Sequence, residues 1–159
     1  MSTLFTFVPR AATFPTSNAP ELNEDAQGRT YLAFDAAAAE TCYWDFDAPA
    51  GVTTPLTLTV KYRAASATSG TALFEAAVEA ISDGDTLDTD AASSFDADNT
   101  PTAVTVPGTA GYIDYLTITL TNNDAIAAGD LCRLRFNRDI SDTATGDLQV
   151  LKVVMQDAA

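Results

Sequence analysis

Apolar and polar residues alternate with a period of two along most of this chain. Leu56, Leu58, Val60 and Tyr62 fall on one parity, and Thr57, Thr59, Lys61 and Arg63 on the other. The same alternation sets Leu116, Ile118 and Leu120 against Thr117, Thr119 and Thr121 within Tyr112–Thr121. Cys132, Leu134 and Phe136 oppose Arg133, Arg135 and Asn137, and Cys42, Trp44 and Phe46 oppose Thr41, Tyr43 and Asp45. Side chains of a strand point alternately to its two faces, so each run predicts a strand with one buried face. Thr3–Val8, Thr30–Phe34 and Thr102–Val106 are shorter runs of the same kind. Leu73–Ile81 is rich in alanine and glutamate, which also suit a helix. The even spacing of its acidic residues favours a strand, with Phe74, Ala76 and Val78 on one side. Leu148–Gln156 carries apolar residues on both parities, which predicts a strand covered on both faces.

About eight strands, separated by polar turns and with little helical signal, predict an all-β fold. Long loops between the strands, in place of tight two-residue hairpins, favour a jelly-roll-like β-sandwich with crossing connections. The chain divides into an N-terminal strand and extended arm, residues 1–29, and a sandwich domain, residues 30–159. Pro9, Pro15 and Pro20 punctuate the arm. Proline removes a backbone donor and favours extended geometry, so the arm is expected to be neither helix nor central strand. Phe14 and Leu22 are apolar positions on this polar strip, and they are candidate assembly contacts to a neighbouring subunit. Asp35–Glu40 is an alanine-rich loop or a single helical turn.

Charge narrows the function. The 159 residues carry 22 acidic and eight basic side chains, a formal net charge of −14. Neither nucleic acid nor an anionic membrane is an expected partner, because both recruit Lys and Arg patches. The N-terminus shows no basic leader followed by a long apolar run, so no secretory signal and no membrane span are expected. The chain has no histidine. That removes the commonest general base, the Ser–His and Cys–His nucleophile pairs and the usual zinc ligands. Carboxylate-only and metal-assisted mechanisms survive that exclusion, but nothing in the sequence selects a pair of carboxylates across a sugar, so no catalytic residues, no cofactor and no enzymatic activity are predicted.

Other candidate sites are few. Asp83, Asp85, Asp88, Asp90, Asp96 and Asp98 share the long loop Ser82–Asn99. Their spacing, with Gly84 in the wrong place, fails the helix–loop–helix calcium pattern, so a solvated acidic loop and no metal site are expected, with a calcium site as the alternative. Trp44 shares parity with Cys42 and Phe46 and belongs in the core. Tyr43 and either Tyr112 or Tyr115 are candidates for exposed platforms that stack on sugars. Cys42 and Cys132 lie on apolar parities and read as buried thiols. Arg133, Arg135 and Arg138 concentrate positive charge, to pair with acidic neighbours or with an acidic surface on a partner subunit. Arg133 and Arg135 are accordingly candidate assembly contacts.

Two stretches, Leu58–Gly70 and Ala127–Asp139, together with Gly146-Asp147 and the last hydrophobic strand, resemble small jelly-roll structural proteins of tailed-bacteriophage virions. The resemblance implies synthesis in the bacterial host cytoplasm and a place in the virion, on the outer capsid surface. It implies a capsid decoration or cement protein that binds the major capsid protein and forms a homo-oligomer, a trimer by analogy. The alternative is a carbohydrate-binding, receptor-binding module of a phage tail or fibre.

Overall fold

A computed structural model describes residues 2–157. Met1 and residues 158–159, the extreme ends of the two expected units, lie outside the described residues. Eleven strands are present among them: β1 (Thr3–Phe7), β2 (Glu21–Glu24), β3 (Thr30–Phe34), β4 (Thr41–Asp47), β5 (Leu56–Ala64), β6 (Thr71–Ala72), β7 (Phe74–Ile81), β8 (Val104–Thr105), β9 (Ile113–Leu120), β10 (Leu131–Arg138) and β11 (Leu148–Gln156). The larger sheet runs β2-β3-β11-β5-β9, with β1 pairing β11 beside β3, and the smaller runs β4-β10-β7. β6 and β8 form a separate ribbon. From β3 onward the long strands alternate between the two sheets: β3, β5, β9 and β11 in the larger, β4, β7 and β10 in the smaller. Each loop must therefore cross the sandwich, which is why the sequence lacks short hairpin turns. The architecture is an all-β, jelly-roll-like sandwich.

The inward parities fill the space between the sheets. Leu56, Leu58, Val60 and Tyr62 of β5 are wholly buried, as are Leu116, Ile118 and Leu120 of β9 and Leu134 and Phe136 of β10. Burying one such side chain contributes about 1.5–3 kcal/mol. Aromatic rings tie the layers together: Phe74 stacks on Phe136 at 5.2 Å, and Phe34 meets both edge-on at 5.8 and 5.7 Å. Trp44 is buried, and its indole N–H donates to the carbonyl of Val8 at 3.0 Å.

Three sequence expectations need revision. β11 is not apolar on both parities because both faces are covered. Its pairing with β5 slips by one residue at Leu151, so Leu148 and Val150 point inward before the slip and Val153 and Met155 after it. β2, unforeseen in the polar run that ends the proline-rich segment, pairs antiparallel with β3. Arg138 pairs with an acidic neighbour as expected, but inside the sandwich and apart from Arg133 and Arg135. It is fully buried, forms a two-pronged ion pair with Asp142 at 2.9 Å, and donates to the carbonyls of Phe34, Ala144 and Gly146.

Residues 2–29 lie against their own sandwich. β1 pairs with β11 and buries Phe7, while Thr13 exchanges backbone hydrogen bonds with Tyr43 at 2.8 and 2.9 Å. Phe14 and Leu22 remain exposed, at 39% and 40%.

Candidate functional site

The outward parities of the two sheets make two different surfaces. On the smaller sheet, the guanidinium of Arg133 stands 4.7 Å over the ring of Tyr43 and 5.6 Å over that of Phe95. Its Nε lies 3.2 Å from Asp45, and a terminal nitrogen lies 4.0 Å from the buried Glu79. Arg135 stands 5.0 Å over the ring of Phe95 and pairs with Asp98 at 2.9 Å. The loop after β7 brings Phe95, and it is held down by Ser94 N–H donating to Glu79 and by Asp96 N–H donating to the carbonyl of Val78. Arg133 and Arg135 thus pair with acidic neighbours of the same chain. Tyr43 is half-buried, with Arg133 over its ring and the Phe95 ring 5.9 Å away.

The larger sheet is uncovered beside β9. Its partner β5 places Lys61 opposite Tyr115, Thr59 opposite Thr117 and Thr57 opposite Thr119, all on the outward parity. Tyr112 and Tyr115 are 64% and 54% exposed, so both tyrosines near the start of this strand reach solvent. The ammonium of Lys61 lies 5.0 Å from the Tyr115 ring centroid. The second edge of β9 has no strand partner among the described residues. A groove of about 580 Å³ follows that edge, with Tyr115, Thr117, Thr119, Thr121 and Asn122 on one side and the segment Asp98–Thr102 on the other.

The far wall of the groove is fixed by Asn99. Its side-chain amide donates to the carbonyls of Ala76 (3.1 Å) and Asn122 (2.8 Å), and its Oδ1 accepts the N–H of Asn122 (2.9 Å). One buried side chain therefore ties the smaller sheet to the turn after β9. Nothing in the pattern around Asn99 distinguishes it from any loop asparagine, and sequence reasoning missed it.

The acidic loop is occupied locally. Asp85 accepts the N–H of Ser82, Asp88 that of Asp90 and Asp96 that of Asp124, while Asp98 holds Arg135. Among the described residues, no three His, Cys, Asp or Glu side chains are grouped to hold a metal ion. Cys42 and Cys132 are free and buried. Burial pushes the Cys42 thiol well up, and burial with Asp130 nearby raises Cys132 to about 12. Neither supplies a thiolate at neutral pH.

No protein-family model and no curated protein matches this chain. Solved structures do. The family 28 module specific for non-crystalline cellulose superposes with a TM-score of 0.53 at 12% identity, over 94% of this chain and 89% of that one. A family 35 carbohydrate-binding module from Paenibacillus barcinonensis gives 0.52 at 18% identity, over 97% and 99%. The family 6 module of Cellvibrio mixtus lichenase 5A, solved with cellotriose, gives 0.51 at 8% identity, over 99% and 100%. The likeness is one of fold. At these identities it carries no residue across, so the site rests on this chain's own geometry.

Proposed function

We propose that this protein is a non-catalytic carbohydrate-binding module that holds a glycan in the groove beside β9, with Tyr115 as its stacking platform. The observation that carries this reading is an exposed tyrosine at one end of a groove walled by neutral hydroxyls. A pyranose has an apolar C–H face and a rim of hydroxyl groups. It asks for an aromatic surface and for donors and acceptors that cost little to desolvate. Thr117 and Thr119 offer both donor and acceptor on each hydroxyl, and Thr121, whose hydroxyl donates to Oδ1 of Asn99 at 3.3 Å, offers an acceptor. The unpaired edge of β9 adds backbone N–H and C=O groups. Glycoside hydrolysis needs two carboxylates across the sugar. Asp98 is the one carboxylate lining this groove, and Arg135 engages it. The shared fold with carbohydrate-binding modules supports the same class.

The test is a panel of soluble oligosaccharides followed by titration of the best binder. Tyr115→Ala is expected to weaken binding about tenfold, the effect of losing an anchor worth about 1.4 kcal/mol. Unchanged affinity in that variant rejects the groove as the site. A phage-particle setting, which the resemblance in sequence implies, places such a module at the virion surface. Mass spectrometry of purified particles, counting copies per virion, checks that setting.

A further inference from the structure

A second depression lies on the outer face of the larger sheet, on the other side of Tyr115 from the groove. It measures about 470 Å³ and is lined by the apolar surfaces of Pro9, Ile113 and Leu151 and by Arg29, Lys61 and Lys152. We propose that this pocket binds an anionic substituent of a sugar, a carboxylate or a sulfate ester. The choice of a sugar as carrier rests on the glycan reading above.

The charge arrangement carries the inference. Five of the eight basic residues lie close to a carboxylate: Arg10 to Glu24, Arg63 to Asp25, Arg133 to Asp45, Arg135 to Asp98 and Arg138 to Asp142. The other three line this pocket. Arg29 reaches Asp25 only at 4.0 Å, and that carboxylate is already 3.0 Å from Arg63. Lys61 and Lys152 have no carboxylate within 4.0 Å among the described residues, in a chain with 22 acidic side chains. No carboxylate lines the pocket.

The two lysines are also forced together. Lys152 of β11 is the direct cross-strand partner of Lys61 of β5. Like charges directly opposite each other in a sheet are destabilising. The one-residue slip at Leu151 creates this juxtaposition. Without it, Lys152 would continue the inward parity of Leu148 and Val150. With it, Lys152 turns outward beside Lys61. Such irregularities recur next to functional sites, where they re-aim a side chain.

Ligand size and charge follow from the surroundings. A polyanion would be repelled by the net charge of −14. One or two negative charges on a compact body meet the three local cations and little else. The apolar lining suits the ring that carries the charge, and Lys61, already over Tyr115, joins the pocket to the groove.

The test compares glucuronate, glucose 6-sulfate, glucose and inorganic sulfate as ligands at matched ionic strength. Melting temperature and calorimetric affinity are read for the wild type, the Lys61→Gln/Lys152→Gln double variant and Tyr115→Ala. Both acidic sugars are expected to raise the wild-type melting temperature while glucose does not, and the double variant is expected to bind them at least about tenfold more weakly. Which acidic sugar binds better identifies the substituent. The double variant loses both a repulsion and the Lys61–Tyr115 contact, so its unliganded melting temperature and circular dichroism are read as well, and a native spectrum with a cooperative melt shows that a lost response is not unfolding. Tyr115→Ala is expected to keep the response to inorganic sulfate. Acidic sugars that bind no better than glucose, or a double variant that binds them undiminished, overturn the pocket. Acidic-sugar binding that needs the lysines, with no neutral oligosaccharide bound, keeps the pocket and rejects the groove.

Discussion

The two outer faces of this sandwich use similar side chains to opposite ends. On the smaller sheet, Tyr43 and Phe95 lie under Arg133 and Arg135, and each arginine lies close to a carboxylate. On the larger sheet, Tyr115 stands under Lys61, half its surface is in water, and the lysine has no carboxylate within ion-pair distance among the described residues. An aromatic–cation pair whose charges are balanced locally is a clasp, and here it fastens the loop after β7. A similar pair left unbalanced beside a groove has its ring face and its charge available to a ligand. Composition does not separate the two cases. Charge balance and cover do.

The largest expected effect lies between the two faces, at Arg138, which shares the inward parity of β10 and is fully buried. Arg138→Ala leaves the Asp142 carboxyl buried without its ion-pair partner and three carbonyls without their donor. Breaking one partner of a buried ion pair costs about 3–5 kcal/mol. Urea denaturation is expected to show a loss of that size, and a loss below about 1 kcal/mol would mean that Arg138 behaves as a surface cation.

Arg133→Ala tests the clasp itself. It removes cation–π contacts worth about 0.5–1 kcal/mol each at exposed sites and a half-exposed ion pair worth less than about 1 kcal/mol. A stability loss of about 1–2 kcal/mol is expected, with faster hydrogen exchange at Ser94 and Asp96, whose N–H groups bond to β7. Exchange unchanged at those two amides would break the link between the stacked arginines and the loop.

A smaller effect belongs to the rim of the uncovered face. The backbone N–H of Arg29, and then the Arg63 guanidinium and the N–H of Gln27, hold the Asp25 carboxyl below its ordinary range. A lowered folded-state value means that the stabilisation is complete above the ordinary aspartate range. It is lost as pH falls through the lowered value. Asp25→Asn is therefore expected to flatten part of the acid limb of the stability curve while leaving pH dependence above neutrality unchanged. Melting curves from neutral to acidic pH check this. An acid limb of undiminished slope contradicts it.

Period-two alternation made the long strands legible. β3 and β11 have the bounds their apolar runs predict, and β7 forms a strand despite its alanine content, because Phe74, Ala76 and Val78 share the buried face. Local pattern has no term for what happens between strands. β2 is polar because it pairs only at an edge, and the slip at Leu151 shows in the sequence merely as mixed parity. Of the site, Tyr115 and the outward threonines could be read directly, since exposure follows parity. Asn99 could not, because its role depends on Ala76 and Asn122, which meet only in three dimensions. Lys152 passed unremarked for the same reason: its relation to Lys61 is a matter of register between distant segments.

The uncovered face is tested most directly by chemical-shift mapping of the labelled protein during titration with the oligosaccharide it binds best. The largest shifts are expected at Tyr115, Thr117, Thr119 and Asn122, with Tyr43, Phe95 and Arg133 nearly unmoved. Shifts concentrated on Tyr43 and its covering arginines, or no shifts with any oligosaccharide, would contradict it.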